Sequence, residues 1–98
     1  MRLAARTDVI QTEVVLGLRR FGYSVQCLHT VGKGCPDLLV GKARQNWLIE
    51  LKSPGGRLTR DELEWITKWQ GQVAIAHSLE EALAAIGAQT CVDDENNS

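Results

Sequence analysis

An aspartate, a glutamate and a lysine occur at a spacing that could place them on one surface. Asp37 begins an apolar run over residues 37–40, and Glu50 and Lys52 lie at the end of a second run over residues 47–52. Both runs have the length and the alternation of short β-strands, with a polar turn between them. Two carboxylates and an amine on one surface can either bind a divalent cation or form ordinary ion pairs on a solvated face.

A β-hairpin with its turn at residues 41–46 would place Val40 opposite Trp47. The same antiparallel register puts Asp37 directly opposite Glu50, with their Cβ atoms about 4.5–5.5 Å apart. Like charges that face each other in a sheet are unfavourable, and a shared proton, a neighbouring lysine or a divalent cation could compensate them. Mg²⁺ is a good fit because it takes oxygen ligands and keeps several waters.

The two faces of this hairpin differ in composition. Lys52 shares a face with the two carboxylates and can reach a water on the metal, as a proton acceptor if its pKa is lowered or otherwise as a point charge. Alternation predicts one face with Asp37, Leu39, Leu48, Glu50 and Lys52, and a wholly apolar core face with Leu38, Val40, Trp47, Ile49 and Leu51.

A third carboxylate could come from the first helix. Glu13 lies beside the apolar stripe of that helix and reaches the site if the helix packs over the acidic face. A metal held by Asp37, Glu50 and the backbone carbonyl of Leu51, with Glu13 nearby or through water, is a hydrolytic site. A strand with Glu50 and Lys52 alone is more often a solvated face, and Pro-Asp alone is more often a turn. Their coincidence in register favours a site.

Capping signals and apolar spacing predict the order α-β-β-β-α-β-α, a small α/β sandwich with a mixed sheet flanked by helices. Residues 1–92 are expected to form one domain, and the acidic tail at 93–98 to be disordered. The first helix is predicted from a Thr7 cap to Gly22, with a buried stripe of Ile10, Val14, Leu18 and Phe21. The second is predicted from a Thr59–Glu62 capping box to Gly71, with an apolar stripe of Leu63, Ile66 and Trp69. The third is predicted from a Ser78–Glu81 capping box to about Ile86.

The composition excludes several classes of protein. The chain has 98 residues, of which 44% are hydrophobic and 23% charged, so disorder, collagen and coiled coil are excluded as the main state. The longest apolar run, residues 82–88, is too short for a membrane helix, and the first residues lack the apolar stretch of a secretory signal. We therefore expect a cytoplasmic location and no membrane partner.

The charge is distributed unevenly along the chain. Residues 1–60 hold ten basic and four acidic residues, a net charge of +6, whereas residues 61–98 hold one basic and eight acidic residues, a net charge of −7. A basic first part suggests an anionic partner such as nucleic acid. Charge alone is equally compatible with two solvated faces.

The cysteines give little indication of function. Cys27, Cys35 and Cys91 are odd in number and contain no C-x-x-C pair, which argues against a disulfide framework and fits a reducing compartment. A zinc site from Cys27, His29 and Cys35 lacks a fourth ligand at a suitable spacing.

The acidic residues and their surroundings resemble the PD-(D/E)xK nuclease superfamily, and in particular its VRR-NUC branch, the virus-type replication-repair nucleases. The resemblance covers roughly residues 7–87. It is carried by Gly34-Cys35-Pro36-Asp37-Leu38-Leu39, by Leu48-Ile49-Glu50-Leu51-Lys52, by Glu13 in the first helix, and by Lys52-Ser53-Pro54-Gly55-Gly56-Arg57-Leu58-Thr59.

This resemblance implies an Mg²⁺- or Mn²⁺-dependent phosphodiesterase that acts on DNA. By matching position, Asp37 and Glu50 would bind the metal, Lys52 would activate or orient the attacking water, and Glu13 would complete the site. Stand-alone members are similar to Holliday junction resolvases, which implies a homodimer that favours branched DNA. A bacterial, prophage or phage-infected cell is the expected setting.

The chain departs from the family pattern at two positions in the second helix. Glu62 stands where members often carry Gln, and Ile66 stands where related nucleases have Tyr. Glu62 is either an extra site carboxylate or only closes the capping box, and we favour the capping role. Cys35 replaces a common aliphatic residue and is expected to be a small buried thiol without chemistry.

Phosphate contacts require basic side chains, and Lys33 and Arg57 flank the site in sequence. Arg60, Arg19 and Arg20 are further candidates, for which a solvated face is the commoner role. Since no base-reading helix or finger is recognisable, we expect the protein to recognise the shape of DNA.

Other residues leave other functions open. Trp47 is expected in the core, and Trp65 and Trp69 are weak candidates for a dimer interface. The alternative functions are a catalytically inactive DNA-binding module with the same fold, and a subunit of a nuclease complex that uses the acidic second part.

Overall fold

The computed structural model describes the backbone of residues 2–87 and the side chains of residues 9–87. Its elements confirm the predicted α/β fold and the order α-β-β-β-α-β-α. Cys91 and the predicted tail at 93–98 lie outside the described residues. The elements are α1 (Arg2–Arg20), β1 (Ser24–Cys27), β2 (Leu38–Lys42), β3 (Gln45–Leu51), α2 (Arg60–Lys68), β4 (Val73–Ala76) and α3 (residues 79–87).

The four strands form one mixed sheet in the order β1-β2-β3-β4. The first three strands pair antiparallel, and β4 pairs parallel to β3. Val40 lies opposite Trp47 and Leu38 lies opposite Ile49, which is the predicted hairpin register. Of the helices within residues 2–87, none has the length and apolarity that a membrane crossing requires.

The turn of the β2–β3 hairpin is shorter than predicted. The strands continue to Lys42 and Gln45, so that only Ala43 and Arg44 form the turn, with φ angles of 53° and 67°. A two-residue loop with both φ angles positive matches the right-handed twist of the two strands. The prediction of a turn over residues 41–46 is wrong in length, but the register is retained because both strands lengthen equally.

The apolar face of the hairpin forms the core, as the alternation predicts. Helices α1 and α3 cover this face, and Trp47 is buried within it. The buried cluster consists of Val14, Val15, Leu18, Leu38, Val40, Trp47, Ile49, Leu51, Ala76, Ala82 and Ile86. The opposite, acidic face of the sheet is therefore left for α2 and for the loop that precedes β2.

Helix α1 departs from its prediction at its start and in one residue of its buried stripe. It begins at Arg2 and not after a Thr7 cap, because residues 3–6 are Leu, Ala, Ala and Arg, which are strong helix formers. The helix ends as predicted before Gly22, which has a φ of 91°. Phe21 is 55% exposed and does not extend the buried stripe, since it follows the last helical residue; Val15 contributes to the core instead.

Helix α2 has the predicted capping box. The Thr59 hydroxyl accepts from the backbone N–H of Glu62 at 3.1 Å, and the Glu62 carboxylate accepts from the N–H of Thr59 at 2.8 Å. The predicted apolar stripe of Leu63, Ile66 and Trp69 is not buried, because α2 contains no buried residue and Leu63 is 55% exposed. Since α1 and α3 cover the core face, α2 has only the acidic face of the sheet to pack against.

The predicted capping box of α3 is half formed. The Ser78 hydroxyl accepts from the N–H of Glu81 at 3.1 Å. The Glu81 carboxylate, however, accepts from the N–H of His77 at 2.8 Å instead of the N–H of Ser78. The helix is nevertheless capped at the predicted residue.

The loop before Asp37 packs closely against the first turn of α2. Gly34 has a φ of 86°, and a Cβ atom placed on it would lie 2.4 Å from the carbonyl oxygen of Asp61. Only glycine tolerates both the left-handed backbone and this contact with a neighbouring backbone. Gly34 thus fixes how close α2 lies to the strand that carries Asp37.

We predict that Gly34→Ala destabilises the protein more than Gly32→Ala. Gly32 also has a positive φ, of 76°, but a Cβ atom there would meet nothing within 4 Å. Gly32→Ala therefore measures the backbone cost alone, about 1–2 kcal/mol, and Gly34→Ala adds the clash with Asp61. Thermal unfolding followed by circular dichroism measures both, and equal melting temperatures would contradict this close packing.

Candidate active site

Asp37 is fixed at the start of β2 by hydrogen bonds to both neighbouring strands. Its carbonyl oxygen accepts from the N–H of Leu28 at 2.8 Å. Its carboxylate Oδ2 accepts from the backbone N–H of Leu51 at 2.8 Å, on the strand that carries Glu50. The Asp37 side chain is thereby held against β3, in the position that the hairpin register predicts.

Glu50 is a buried carboxylate that lacks a partner for one of its oxygens. The residue is 2% exposed. Its Oε2 lies 3.5 Å from the Nζ of Lys52, whereas its Oε1 is buried without a hydrogen-bond partner among the described residues. A buried, unpaired carboxylate oxygen carries a large desolvation cost. This oxygen is therefore free to accept a ligand of opposite charge.

The electrostatics of the cluster show a shortage of positive charge. Burial raises the pKa of Glu50 to about 8, and the negative charges of Asp37 and Glu62 act in the same direction against the opposing effect of Lys52. Burial also raises the pKa of Asp37, although the N–H of Leu51 and the charge of Lys52 oppose this shift. One lysine does not compensate the carboxylates that surround it.

Lys52 lies between two carboxylates. Its Nζ is 3.5 Å from Glu50 Oε2 and 2.7 Å from Glu62 Oε1. Burial lowers the pKa of Lys52, but the hydrogen bond and charge of Glu62, together with Glu50, raise it by more. The ammonium group is therefore charged. Of the two roles left open by the sequence, this favours the point charge over the proton acceptor.

Glu62 closes the capping box, as we expected, and its carboxylate also contacts Lys52. A role as a site carboxylate stays a prediction. The Glu62 Oε1 accepts both from the N–H of Thr59 and from Lys52. Burial raises the pKa of Glu62, but the hydrogen bonds from Lys52 and Thr59 lower it by more, so that this carboxylate is charged. The cap therefore also links helix α2 to the lysine of the candidate site.

Glu13 is not brought into this cluster. Helix α1 packs on the apolar face through Val14 and Leu18, and not over the acidic face that the sequence analysis required. Glu13 is exposed, and it is absent from the charges that shift the pKa of Asp37 and Glu50. Its role as a ligand or as a site carboxylate stays a prediction.

The candidate DNA-binding residues are all exposed. They are Lys33, Arg57, Arg60, Arg19 and Arg20. Lys33 lies in the loop before Asp37 and lines a hollow beside α2. The Arg19 guanidinium donates to the carbonyl of Val25 at 3.1 Å, so this side chain has a structural contact. Contact with DNA stays a prediction for all five.

The donor atoms of the cluster fit a hard divalent cation. Within residues 9–87, no three acidic, histidine or cysteine side chains form a complete metal site by themselves. Mg²⁺ and Mn²⁺ do not require such a set, because they keep waters and bind through one or two carboxylates. The unpaired Oε1 of Glu50 beside Asp37 is the observation that fits such an ion.

Cys27 and Cys35 do not form a metal site within the part of the chain that the structure describes. Cys27 and Cys35 are free thiols, and they form no zinc site with His29 among the described residues. Burial raises the pKa of the Cys35 thiol, and the charges of Glu50 and Asp37 add to this effect. Cys35 is partly buried and not fully buried as expected, and its raised pKa favours the protonated thiol. That it has no chemistry stays a prediction.

One of three comparisons with known proteins found a match. A family model described as the VRR-NUC domain matches residues 10–80, a range that includes Asp37, Glu50, Lys52 and Glu62. No curated protein and no solved structure matches the chain. The matched range covers well over half of the chain and contains the whole β-sheet. The chain therefore belongs to the VRR-NUC family and has a fold of the nuclease type.

Proposed function

We propose that the protein is a divalent-metal-dependent endonuclease that hydrolyses phosphodiester bonds in DNA, with a preference for branched DNA such as Holliday junctions. The observation that carries this proposal is the buried Glu50 carboxylate, which faces Asp37 and has one unpaired oxygen. A structural ion pair would leave no such oxygen, since buried polar groups in stable cores are normally satisfied.

In this proposal, Asp37 and Glu50, with the backbone carbonyl of Leu51, hold Mg²⁺ or Mn²⁺. The bound ion supplies positive charge to a phosphoryl oxygen and lowers the pKa of a water. The N–H of Leu51 keeps the Asp37 carboxylate in one orientation. The charged Lys52 orients the attacking water or donates to the phosphate, and Glu62 holds its ammonium group in place.

The exposed basic residues are the proposed contacts to the DNA backbone. Lys33 precedes Asp37, whereas Arg57 and Arg60 follow the strand that carries Glu50, so these three flank the site residues in sequence. Contacts to phosphate position the DNA but carry no sequence information. This agrees with selection of substrates by shape, and Arg19 and Arg20 are secondary candidates.

A homodimer is proposed as the active assembly. One metal site cuts one strand, whereas symmetric cleavage of a four-way junction requires two sites related by a two-fold axis. A single domain of 98 residues also contacts only a limited stretch of duplex.

A second candidate function is a catalytically inactive DNA-binding module or subunit of a nuclease complex. The observation that favours it is the carboxylate of Glu62, which stands at the usual Gln position and lies 2.7 Å from Lys52. A lysine whose charge is paired with a carboxylate attracts a phosphate less strongly. Salt-sensitive DNA binding without any product would identify this function.

Asp37→Asn and Glu50→Gln are each expected to lower the rate of DNA cleavage by about 100-fold or more, because stabilisation by the metal is worth several kcal/mol. The assay follows cleavage of labelled four-way junctions in Mg²⁺, Mn²⁺ or EDTA. Glu80→Gln is the matched control, since Glu80 is an exposed glutamate on α3. This variant should cleave DNA at the rate of the wild type. Cleavage that persists in EDTA or in Asp37→Asn would contradict the metal mechanism.

We expect faster cleavage of four-way junctions than of linear duplex of the same sequence, and paired nicks on opposite strands. A two-fold dimer explains both, because each protomer contributes one site. Sedimentation of the protein with and without a junction measures the assembly, and product mapping locates the nicks. A monomer that cuts linear and branched DNA equally would exclude the selectivity but not the nuclease activity.

The stability of the metal-free protein should fall as the pH rises from 5 to 8. The pKa of Glu50 is raised to about 8 in the folded protein, against about 4.3 in an unfolded chain. Between these two pKa values, the folded state keeps a proton that the unfolded state has released. The stability that is present below the pKa of the unfolded state is therefore lost as the pH rises towards the pKa of the folded state.

Glu50→Gln should remove this dependence. Between pH 5 and 8 in EDTA, we expect the melting temperature of the wild type to fall by at least about 4 °C more than that of the variant, the shift that roughly 1 kcal/mol produces in a small domain. Titrating groups remote from Glu50 are common to both proteins and cancel in the comparison, whereas the pKa values of Asp37 and Glu62, which interact with Glu50, differ between them. Parallel curves for the two proteins would show that Glu50 is not buried as a carboxylate.

A further inference from the structure

A cavity of about 410 Å³ lies between helix α2 and the acidic side of the sheet. We refer to it as the α2 cavity. Its walls are mostly apolar, and two amide side chains, Asn46 and Gln72, are among its lining residues. The apolar walls are formed chiefly by Leu28, Cys35, Leu39, Leu48, Trp65 and Trp69. Pockets of this size and composition are typical of sites for flat organic groups.

Two stacked indoles form one side of the α2 cavity. The rings of Trp65 and Trp69 are 4.6 Å apart between centroids, with an angle of 20° between their planes. Trp69 is 46% exposed. A Cβ atom on Gly71 would lie 2.9 Å from the Nε1 of Trp69, so the absence of a side chain at Gly71 lets the indole lie close. The chain thus presents an aromatic surface that its own core does not cover.

The α2 cavity lies next to the candidate active site on the same face of the sheet. Leu39 and Leu48 line the cavity and lie on the same face of the sheet as Asp37 and Glu50. Each leucine is two residues from its carboxylate along a strand, a distance of about 7 Å. A group bound in the cavity therefore lies within about one nucleotide of a phosphate that is held at Asp37 and Glu50.

The rim of the cavity carries charges of both signs. Trp65 also borders a hollow that is lined by Lys33 and Lys68. Asp61 and Glu64 line the same hollow and balance the two lysines, so a phosphate is attracted only where it lies closer to a lysine than to a carboxylate. An aromatic surface beside two amines matches one nucleotide, with its base on the rings and its phosphate at the rim.

We propose that the α2 cavity holds an unpaired base of the DNA substrate, stacked on Trp65 and Trp69. The choice of DNA rests on the proposed function, and the cavity adds a reason for selecting branched substrates, since a junction or flap offers bases that are not paired. A base in a closed duplex is stacked and cannot enter. The Gln72 Nε2 donates to the backbone carbonyl of Asn46 at 2.7 Å, which leaves the Asn46 amide and the Gln72 amide oxygen to bond to a base edge. Little sequence preference is expected, because stacking accepts every base.

The test is a binding assay in EDTA, where cleavage does not interfere. The probes are three labelled duplexes that are identical except at one position, which holds a paired thymine, an unpaired thymine or an abasic unit. The wild type should bind the unpaired thymine about 5-fold or more tightly than the abasic probe, with quenching of tryptophan fluorescence only by the former. Trp69→Ala should abolish this difference, and Trp69→Phe should retain most of it.

Leu63→Ala is the matched control, because Leu63 is exposed on α2 but does not line the cavity. It should keep the preference of the wild type. Equal binding of the unpaired thymine and abasic probes by the wild type, without selective quenching, overturns the proposal whether or not the variants fold. A Trp69→Ala protein that keeps the wild-type preference also overturns the proposal. If the only effect of Trp69→Ala is to turn a dimer into a monomer, the proposal is overturned as well, and a second copy of the chain is identified as the occupant of the cavity.

The same variants separate this proposal from the nuclease proposal. If the wild type and Trp69→Ala cleave DNA equally in Mg²⁺ and neither prefers the unpaired base, only the role of the cavity is overturned. If the preference in EDTA is present and depends on Trp69, but no metal supports cleavage, the cavity is upheld and the nuclease activity is overturned.

Discussion

The repulsion between two carboxylates on neighbouring strands is the interaction on which the rest of the site depends. Glu50 is buried, faces Asp37 and leaves one oxygen without a partner. Such a group lowers the stability of the fold, and an apolar residue of similar size at position 50 would pack without this cost. The N–H of Leu51 and the ammonium of Lys52 compensate only part of it. The arrangement suits a protein that recovers the cost by binding a cation.

The core on the other side of the sheet keeps the carboxylates in register. Leu38 and Ile49 face each other there without exposure to solvent. A slip of one residue would move these two side chains into solvent and the carboxylates into the core, so the apolar face excludes it. The two-residue turn at Ala43 and Arg44 also opposes a slip of the register, because its positive φ angles leave the loop little conformational freedom. Apolar packing thus places the acidic groups.

Features set by local periodicity could be predicted from the sequence. Alternation gave the faces and the register of the hairpin, and the capping box of Thr59 and Glu62 required only their spacing. Features that depend on how elements pack could not be predicted. The side of the sheet on which α1 lies decides the position of Glu13, and no short-range pattern encodes it. The contact between Glu62 and Lys52 likewise joins residues on two elements whose relative placement depends on the backbone approach at Gly34.

Helix α2 contacts the rest of the fold at the site itself. It contains no fully buried residue, and its contacts include the close approach of Gly34 to Asp61 and the ion pair of Glu62 with Lys52. The Lys52 ammonium lies closer to Glu62 than to Glu50, by 2.7 Å against 3.5 Å, so its stronger contact is with α2. Positive charge added at Asp37 and Glu50 would compensate these carboxylates without requiring Lys52 to leave Glu62. Because the same helix carries Trp65, a displacement of α2 would alter the lysine and the α2 cavity together, which couples the proposed chemistry to the proposed recognition of the substrate.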